Sequence, residues 1–70
     1  SGLGFKTLAD KIIEVDQFNP QIASRLSTVF SFVSREDIVQ KDVVKKELSR
    51  ILEANPSKDT YEIVSKMLAP

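Results

Sequence analysis

Two Asn-Pro pairs constrain the fold of this chain more strongly than any other feature of its sequence. The residue before a proline is disfavoured in the helical region, whereas asparagine is a favoured N-cap and proline suits the first helical position. Asn19 is therefore expected to cap a helix that begins at Pro20. The run Asn55-Pro56-Ser57 likewise ends one helix and starts another, with Ser57 as the predicted N-cap.

Apolar residues recur at helical spacing around both corners, and no segment alternates as a half-buried strand does. We predict helices over residues 4–18 and 20–32, a third from a start between Ser34 and Asp37 to Glu53, and a fourth that follows Ser57 and ends near Leu68. The helix–corner–helix unit occurs twice at a spacing of roughly 35 residues, which is typical of helical repeats. The predicted fold is all-α, with four helices in two stacked antiparallel pairs, like the terminal part of an α-solenoid.

One apolar stripe per helix is predicted to form the core, and the phenylalanines are assigned to it as well. The expected core residues are Phe5, Leu8, Ile12, Val15, Phe18, Ile22, Leu26, Val29, Phe30, Phe32, Val33, Ile38, Val44, Leu48, Ile51, Leu52, Tyr61, Val64 and Leu68. Val39 and Val43 fall well outside the stripe of the third helix, at about 100° per residue. We therefore expect these two valines to lack full cover within this chain.

The composition excludes several classes of function. The chain has no His and no Cys, so imidazole bases, thiol nucleophiles and the usual zinc ligands are missing, and we predict no metal or cofactor in it. Its 10 basic residues balance its 10 acidic ones, which argues against a nucleic-acid partner. The apolar stretches fall far short of the ~20 residues that span a bilayer, so no membrane partner is predicted.

Charge is unevenly distributed along the chain. Residues 1–34 carry three basic and three acidic residues, and residues 35–70 carry seven of each. The first half is therefore the better candidate for docking against other protein. Because the chain begins Ser1-Gly2 and not with Met, we interpret residues 1–70 as a single helical unit that is a fragment of a larger domain.

Candidate catalytic groups in the sequence are weak. Asp10 and Glu14 could form an acid–base pair, but opposite charges are interleaved around them, which is typical of a solvated helix face. Ser24, Ser27 and Thr28 have no His to activate them, and we interpret them as helix-surface hydroxyls. We predict no catalytic residue in this chain.

Arg25 stands out, because it is the only Arg of the first half and lies among apolar and small residues. An Arg in this setting extends its guanidinium to water, pairs with a buried acid, or binds a carboxylate through two parallel hydrogen bonds. The local sequence leaves these three alternatives open.

The run Asn19-Pro20-Gln21-Ile22-Ala23-Ser24-Arg25 closely resembles the Asn-Pro-Gln-Val-Ala-Ser-Arg segment near the C-terminus of zinc metallo-aminopeptidases of the aminopeptidase N type, in their bacterial and related branch. Gly2-x-Gly4-Phe5 is similar to that family's Gly-Ser-Gly-Tyr helix entry. The closing run Ser65-Lys66-Met67-Leu68-Ala69 resembles its final helix. One departure is Glu36, where the family's Arg-Tyr-Asp corner has Tyr.

The resemblance implies a fragment of an ARM- or HEAT-like C-terminal superhelix in a cytoplasmic, zinc-dependent enzyme that removes N-terminal residues from peptides. The zinc and its His-Glu-x-x-His helix would belong to a catalytic domain of the parent outside this chain. That domain and the remaining C-terminal helices of the parent would be the partners of this chain, and peptide substrate would be an indirect partner. The superhelix would help to form and gate a substrate chamber. By position in the motif, Gln21 would lie near the pocket for the first residue and Arg25 near the C-terminal side of a bound peptide.

An alternative function from another class is a free-standing helical adaptor that binds a partner protein through an exposed apolar patch. A small enzyme that uses paired carboxylates is a third hypothesis, which the sequence disfavours because no such pair stands out.

Overall fold

The computed structural model describes residues 2–35 and 41–69. In this part of the chain, four helices follow one another: α1 (Gly2–Asp16), α2 (Pro20–Arg35), α3 (Lys41–Glu53) and α4 (Lys58–Leu68). The prediction of four helices is confirmed, although α1 begins and ends two residues earlier than predicted and α2 continues three residues beyond Phe32. Of the two candidate starts of the third helix, Ser34 is wrong because it lies within α2, whereas Asp37 lies outside the described residues, as do Ile38 and Val39.

Both corners form as their residue types predict. The Asn19 side-chain oxygen accepts a hydrogen bond from the Ile22 N–H at 3.2 Å, which caps α2. Asn55 follows the end of α3 with a φ of 61°, a left-handed conformation that asparagine tolerates better than most residues. Ser57 then caps α4 by accepting from the Thr60 N–H at 3.5 Å.

The helices form two pairs that stack on each other. α1 packs on α2 and α3 packs on α4, while α1 also contacts α3 and α2 contacts α4. Phe5 near the start of α1 meets Phe30 near the end of α2, with ring centroids 5.6 Å apart, so the first pair is antiparallel. Among the helices that the structure describes, none is long and apolar enough to cross a membrane.

One hydrophobic core is shared by all four helices. Its buried members are Phe5, Ala9, Ile12, Phe30, Val44, Leu48, Ile51 and Val64. Val43 is half-buried against this cluster, which agrees with its predicted incomplete cover, whereas Val39 lies outside the described residues.

The predicted core face of α2 is only partly confirmed: Phe30 is buried and Leu26 packs against the core, but the other three residues are exposed. Ile22, Val29 and Val33 are 45%, 48% and 47% exposed, while the small residues Ala23 and Ser27 are fully buried beside Phe30. Small side chains let neighbouring helices approach closely, so α2 turns them toward its neighbours and leaves three larger apolar residues outside. The buried face is rotated by roughly 80° from the predicted stripe, at about 100° per residue.

Three aromatic residues assigned to the core are also exposed. Phe18 lies in the corner between α1 and α2 and is 73% exposed, and Phe32 on α2 is 64% exposed. Tyr61 on α4 is 53% exposed, because the preceding residue, Thr60, takes the buried position. The buried Thr60 hydroxyl donates a hydrogen bond to Asp16, and hydrophobicity patterns do not reveal such a contact.

Candidate functional site

Gln21 and Arg25, the two residues predicted to line a substrate chamber, lie on one exposed ridge of α2. They are four residues apart, so their side chains leave the same side of the helix. Thr28 and Phe32 continue this ridge, and all four residues are exposed. We call Gln21, Arg25, Thr28 and Phe32 the polar ridge.

The polar ridge points away from α1. Phe30 marks the side of α2 that contacts α1, through Phe5. At about 100° per residue, the ridge residues lie roughly 140–200° around the helix axis from Phe30. Gln21 and Arg25 therefore face outward from the first helix pair.

A groove of about 470 Å³ lies between α2, α3 and α4. It is lined by Thr28, Ser31, Ser34, Val44, Leu48, Ile63, Lys66 and Met67. Since Ser31 and Ile63 share this groove, it marks the side of α2 that faces α4. Its lining has hydroxyls, apolar groups and one Lys, but no pair of groups suited to acid–base chemistry.

The exposed apolar residues of α2 lie on the side opposite this groove. Ile22, Val29 and Val33 are roughly 160–200° from Ser31 around the helix axis. We call these three residues the stacking stripe. In stacked helical repeats, each pair buries its two broad sides against neighbouring pairs. The stacking stripe occupies the side on which a further helix pair would pack.

The charge on α2 is entirely positive, because its sequence contains Arg25 and Arg35 and no acidic residue. Within the described residues, no carboxylate lies within 4.0 Å of the Arg25 guanidinium. Of the three alternatives for Arg25, pairing with a buried acid is therefore not found in this part of the chain. An exposed guanidinium on the ridge remains able to bind an external carboxylate through two hydrogen bonds.

The remaining candidate groups have structural partners. Asp10 pairs with Lys6 at 3.1 Å, and Glu14 lies 3.9 Å from Lys11, as expected for a charged helix face. Ser27 is not a surface hydroxyl as predicted, since it is fully buried and donates to the Ala23 carbonyl oxygen at 2.9 Å.

Arg50 joins the two helix pairs on the side away from the polar ridge. Its guanidinium lies 2.7 Å from Asp10 on α1 and 2.6 Å from Glu47 on α3, and Glu47 is buried. These hydrogen bonds raise the pKa of Arg50 and lower the pKa of Asp10 from their ordinary values. Sequence reasoning missed this network, because its α1–α3 contact is visible only once the pairs are stacked.

Asp16 is the second polar contact that sequence reasoning missed. Its carboxylate is buried at the end of α1 and accepts hydrogen bonds from Ser57 and Thr60 at the start of α4. One signal was available in the sequence: an acidic residue at the C-terminal end of a helix opposes the helix dipole.

The described residues do not fit a zinc site. Across residues 2–35 and 41–69, no three acidic side chains are grouped so that they could hold a metal ion, and the sequence has neither His nor Cys.

Comparison with known proteins gives consistent matches. A family model described as "Domain of unknown function (DUF3458_C) ARM repeats" matches residues 1–69. The chain is 36% identical over 69 residues to aminopeptidase N of Haemophilus influenzae and 39% identical over 69 residues to aminopeptidase N of Caulobacter vibrioides. Each alignment covers 97% of this chain but 8% of the relative, so the chain spans a small part of these proteins. No solved structure matches the chain.

Proposed function

Because the chain belongs to the family described as DUF3458_C ARM repeats, we propose that it is a non-catalytic helical segment of a zinc aminopeptidase, where it helps to form and gate the substrate chamber. Such an enzyme removes N-terminal residues from peptides. The similarity to two aminopeptidase N sequences supports this parent. The observation that carries the proposal is the outer surface of α2, where the stacking stripe lies beside the polar ridge and its Arg25 guanidinium.

The stacking stripe is the proposed contact with the rest of the enzyme. Its three residues are each about half-exposed, so they retain apolar area that a neighbouring element can bury. Burying such area stabilises an interface by roughly 25 cal/mol per Å². We assign this side of α2 to neighbouring helices of the parent's C-terminal domain, which in turn contact its catalytic domain.

The polar ridge is the proposed chamber surface. Arg25 and Gln21 are adjacent on it, and Arg25 has no carboxylate partner among the described residues. A guanidinium offers two parallel donors that match the geometry of a carboxylate. In this proposal Arg25 binds the free C-terminal carboxylate of a peptide, and Gln21 offers amide donors and acceptors toward the peptide's first residue.

Steady-state kinetics of the full-length enzyme with Arg25→Ala test the ridge. Each peptide substrate is compared with the same peptide amidated at its C-terminus, so that the two substrates differ only in the carboxylate. We expect KM for the free-acid peptide to rise about tenfold, the loss of one charge-assisted pair, with little change for the amide. Lys45→Ala, which removes another exposed cation, is the matched control and should leave both substrates unchanged. Equal responses of acid and amide to Arg25→Ala would exclude the carboxylate role.

A further inference from the structure

Asp16 is placed where local helix preferences disfavour it. It is the last residue of α1, and this helix has no basic residue in its last turn to offset the charge. A negative charge at a helix C-terminus interacts unfavourably with the helix dipole. Asp16 is nevertheless buried, with 9% of its surface exposed. Residues that break local rules in this way usually serve a feature elsewhere in the fold.

The Asp16 carboxylate accepts hydrogen bonds from residues at the start of α4. One oxygen accepts from the Ser57 N–H at 2.6 Å, and the other accepts from the Ser57 hydroxyl at 2.6 Å and the Thr60 hydroxyl at 2.7 Å. Ser57 is the N-cap of α4, and Thr60 is fully buried in its first turn. The charge therefore lies at the positive end of the α4 dipole, and it compensates there for its unfavourable position on α1.

α4 has few buried apolar residues to hold it in the fold, so the contact with Asp16 matters most for this helix. Its buried residues are Thr60 and Val64, of which only Val64 is apolar, whereas α3 buries Val44, Leu48 and Ile51. Elements with few buried apolar contacts open locally at lower free energy than the rest of a structure.

We propose that Asp16 is a latch between the two helix pairs: its ionised carboxylate holds α4 on α1, and loss of this charge releases α4 in a local opening that leaves the first pair packed. Ser57 and Thr60 supply the hydrogen bonds that stabilise the charge. Within the described residues, no cation lies within 4.0 Å of Asp16. The charged residues nearest in sequence or on the packed helices are all exposed, namely Glu14, Arg25, Glu53, Lys58 and Asp59.

The protonation equilibrium agrees with this geometry. Burial raises the pKa of the Asp16 carboxyl, but the hydrogen bonds from Ser57 and Thr60 outweigh burial and hold the pKa below its ordinary value. The ionised form is therefore the one that the folded arrangement favours.

Hydrogen exchange followed by mass spectrometry, on the full-length protein that contains this segment, tests the latch. We expect Asp16→Asn to reduce protection of the amides of residues 61–68 by about tenfold, the loss typical of a hydrogen bond to a charged group. Protection in α1 and α2 should stay unchanged. Asp10→Asn is the matched control, because it removes an α1 carboxylate that contacts α3, and it should not affect residues 61–68 selectively.

Thr60→Val provides a second variant that keeps the carboxylate and removes one donor. It should lower protection of residues 61–68 by a smaller factor. The double variant, which combines Asp16→Asn with Thr60→Val, should lose no more protection than Asp16→Asn alone. A uniform loss of protection across all four helices, or an additive double variant, would show that Asp16 acts only on global stability and would overturn the latch.

Discussion

α2 and α4 hold equivalent positions as the second helices of the two pairs, yet they differ at their starts and on their outer faces. α2 is capped by Asn19, which directly precedes it, whereas α4 also depends on Asp16 from α1. The outer face of α2 carries the stacking stripe and the polar ridge. The exposed positions of α4 are mostly charged, namely Lys58, Asp59, Glu62 and Lys66, with Tyr61 among them.

This difference teaches that the position of a helix in a repeat does not decide its surface. α2 starts from its own local signal and keeps its outside apolar and cationic, which suits contact with further protein. α4 takes part of its N-terminal capping from the first pair and presents charge outward, which suits water. The two helices are therefore expected to respond differently to the same kind of substitution.

The largest expected difference follows from placing a carboxylate on the stacking stripe. If neighbouring helices cover this stripe, Val29→Asp buries an unpaired charge in the full-length protein and costs about 3 kcal/mol of unfolding free energy. Lys58→Asp also adds an acid to an exposed position, but at the favourable end of α4, and should change stability by less than about 0.5 kcal/mol. Chemical denaturation of both variants makes the comparison. A cost for Val29→Asp no larger than for Lys58→Asp would mean that the stripe is not covered.

A smaller effect is expected on the buried face of α2. Ala23→Leu inserts a large side chain where the helices approach closely, and overpacking of this kind costs about 2 kcal/mol. Thr28→Leu adds an apolar side chain of the same type on the exposed polar ridge and should be nearly neutral. Thermal unfolding of the two variants sharpens the contrast between the faces. If Ala23→Leu is tolerated as well as Thr28→Leu, close packing does not explain the orientation of α2.

The smallest effect concerns the acid sensitivity of α4. Because the folded-state pKa of Asp16 lies below its ordinary value of 3.8, its contribution is present above that value and is lost as the pH falls toward the folded-state pKa. Between pH 6 and pH 3, the free energy of local opening of α4 should therefore fall by about 1 kcal/mol more in the wild type than in Asp16→Asn. Hydrogen exchange of residues 61–68 at several pH values, corrected for the intrinsic exchange rate, measures both slopes. Parallel slopes would contradict a folded-state role for the Asp16 charge.

Local sequence signals predicted the elements of this fold well, because each signal acts within a few residues. Asn19, Pro20 and Ser57 marked two helix starts, and the structure confirms them. Gln21 and Arg25 were placed outside the core, and both are exposed together on one ridge. Their role in a substrate chamber stays a prediction, since it depends on parts of a parent protein beyond this chain.

The sequence by itself determined that the chain forms helices and where its two Asn-Pro corners lie, because caps, prolines and apolar spacing are local properties. Its motifs also determined which family it resembles. Apolar spacing also predicted buried residues on α1, α3 and α4, whereas the buried side of α2 was decided by the tertiary structure. On α2 it selected Ala23 and Ser27 over Ile22 and Val29, because close approach of helices depends on the shapes of both partners. It also brought Asp16 to Ser57 across 41 residues, and that contact places a locally unfavourable charge beside the N-cap of another helix.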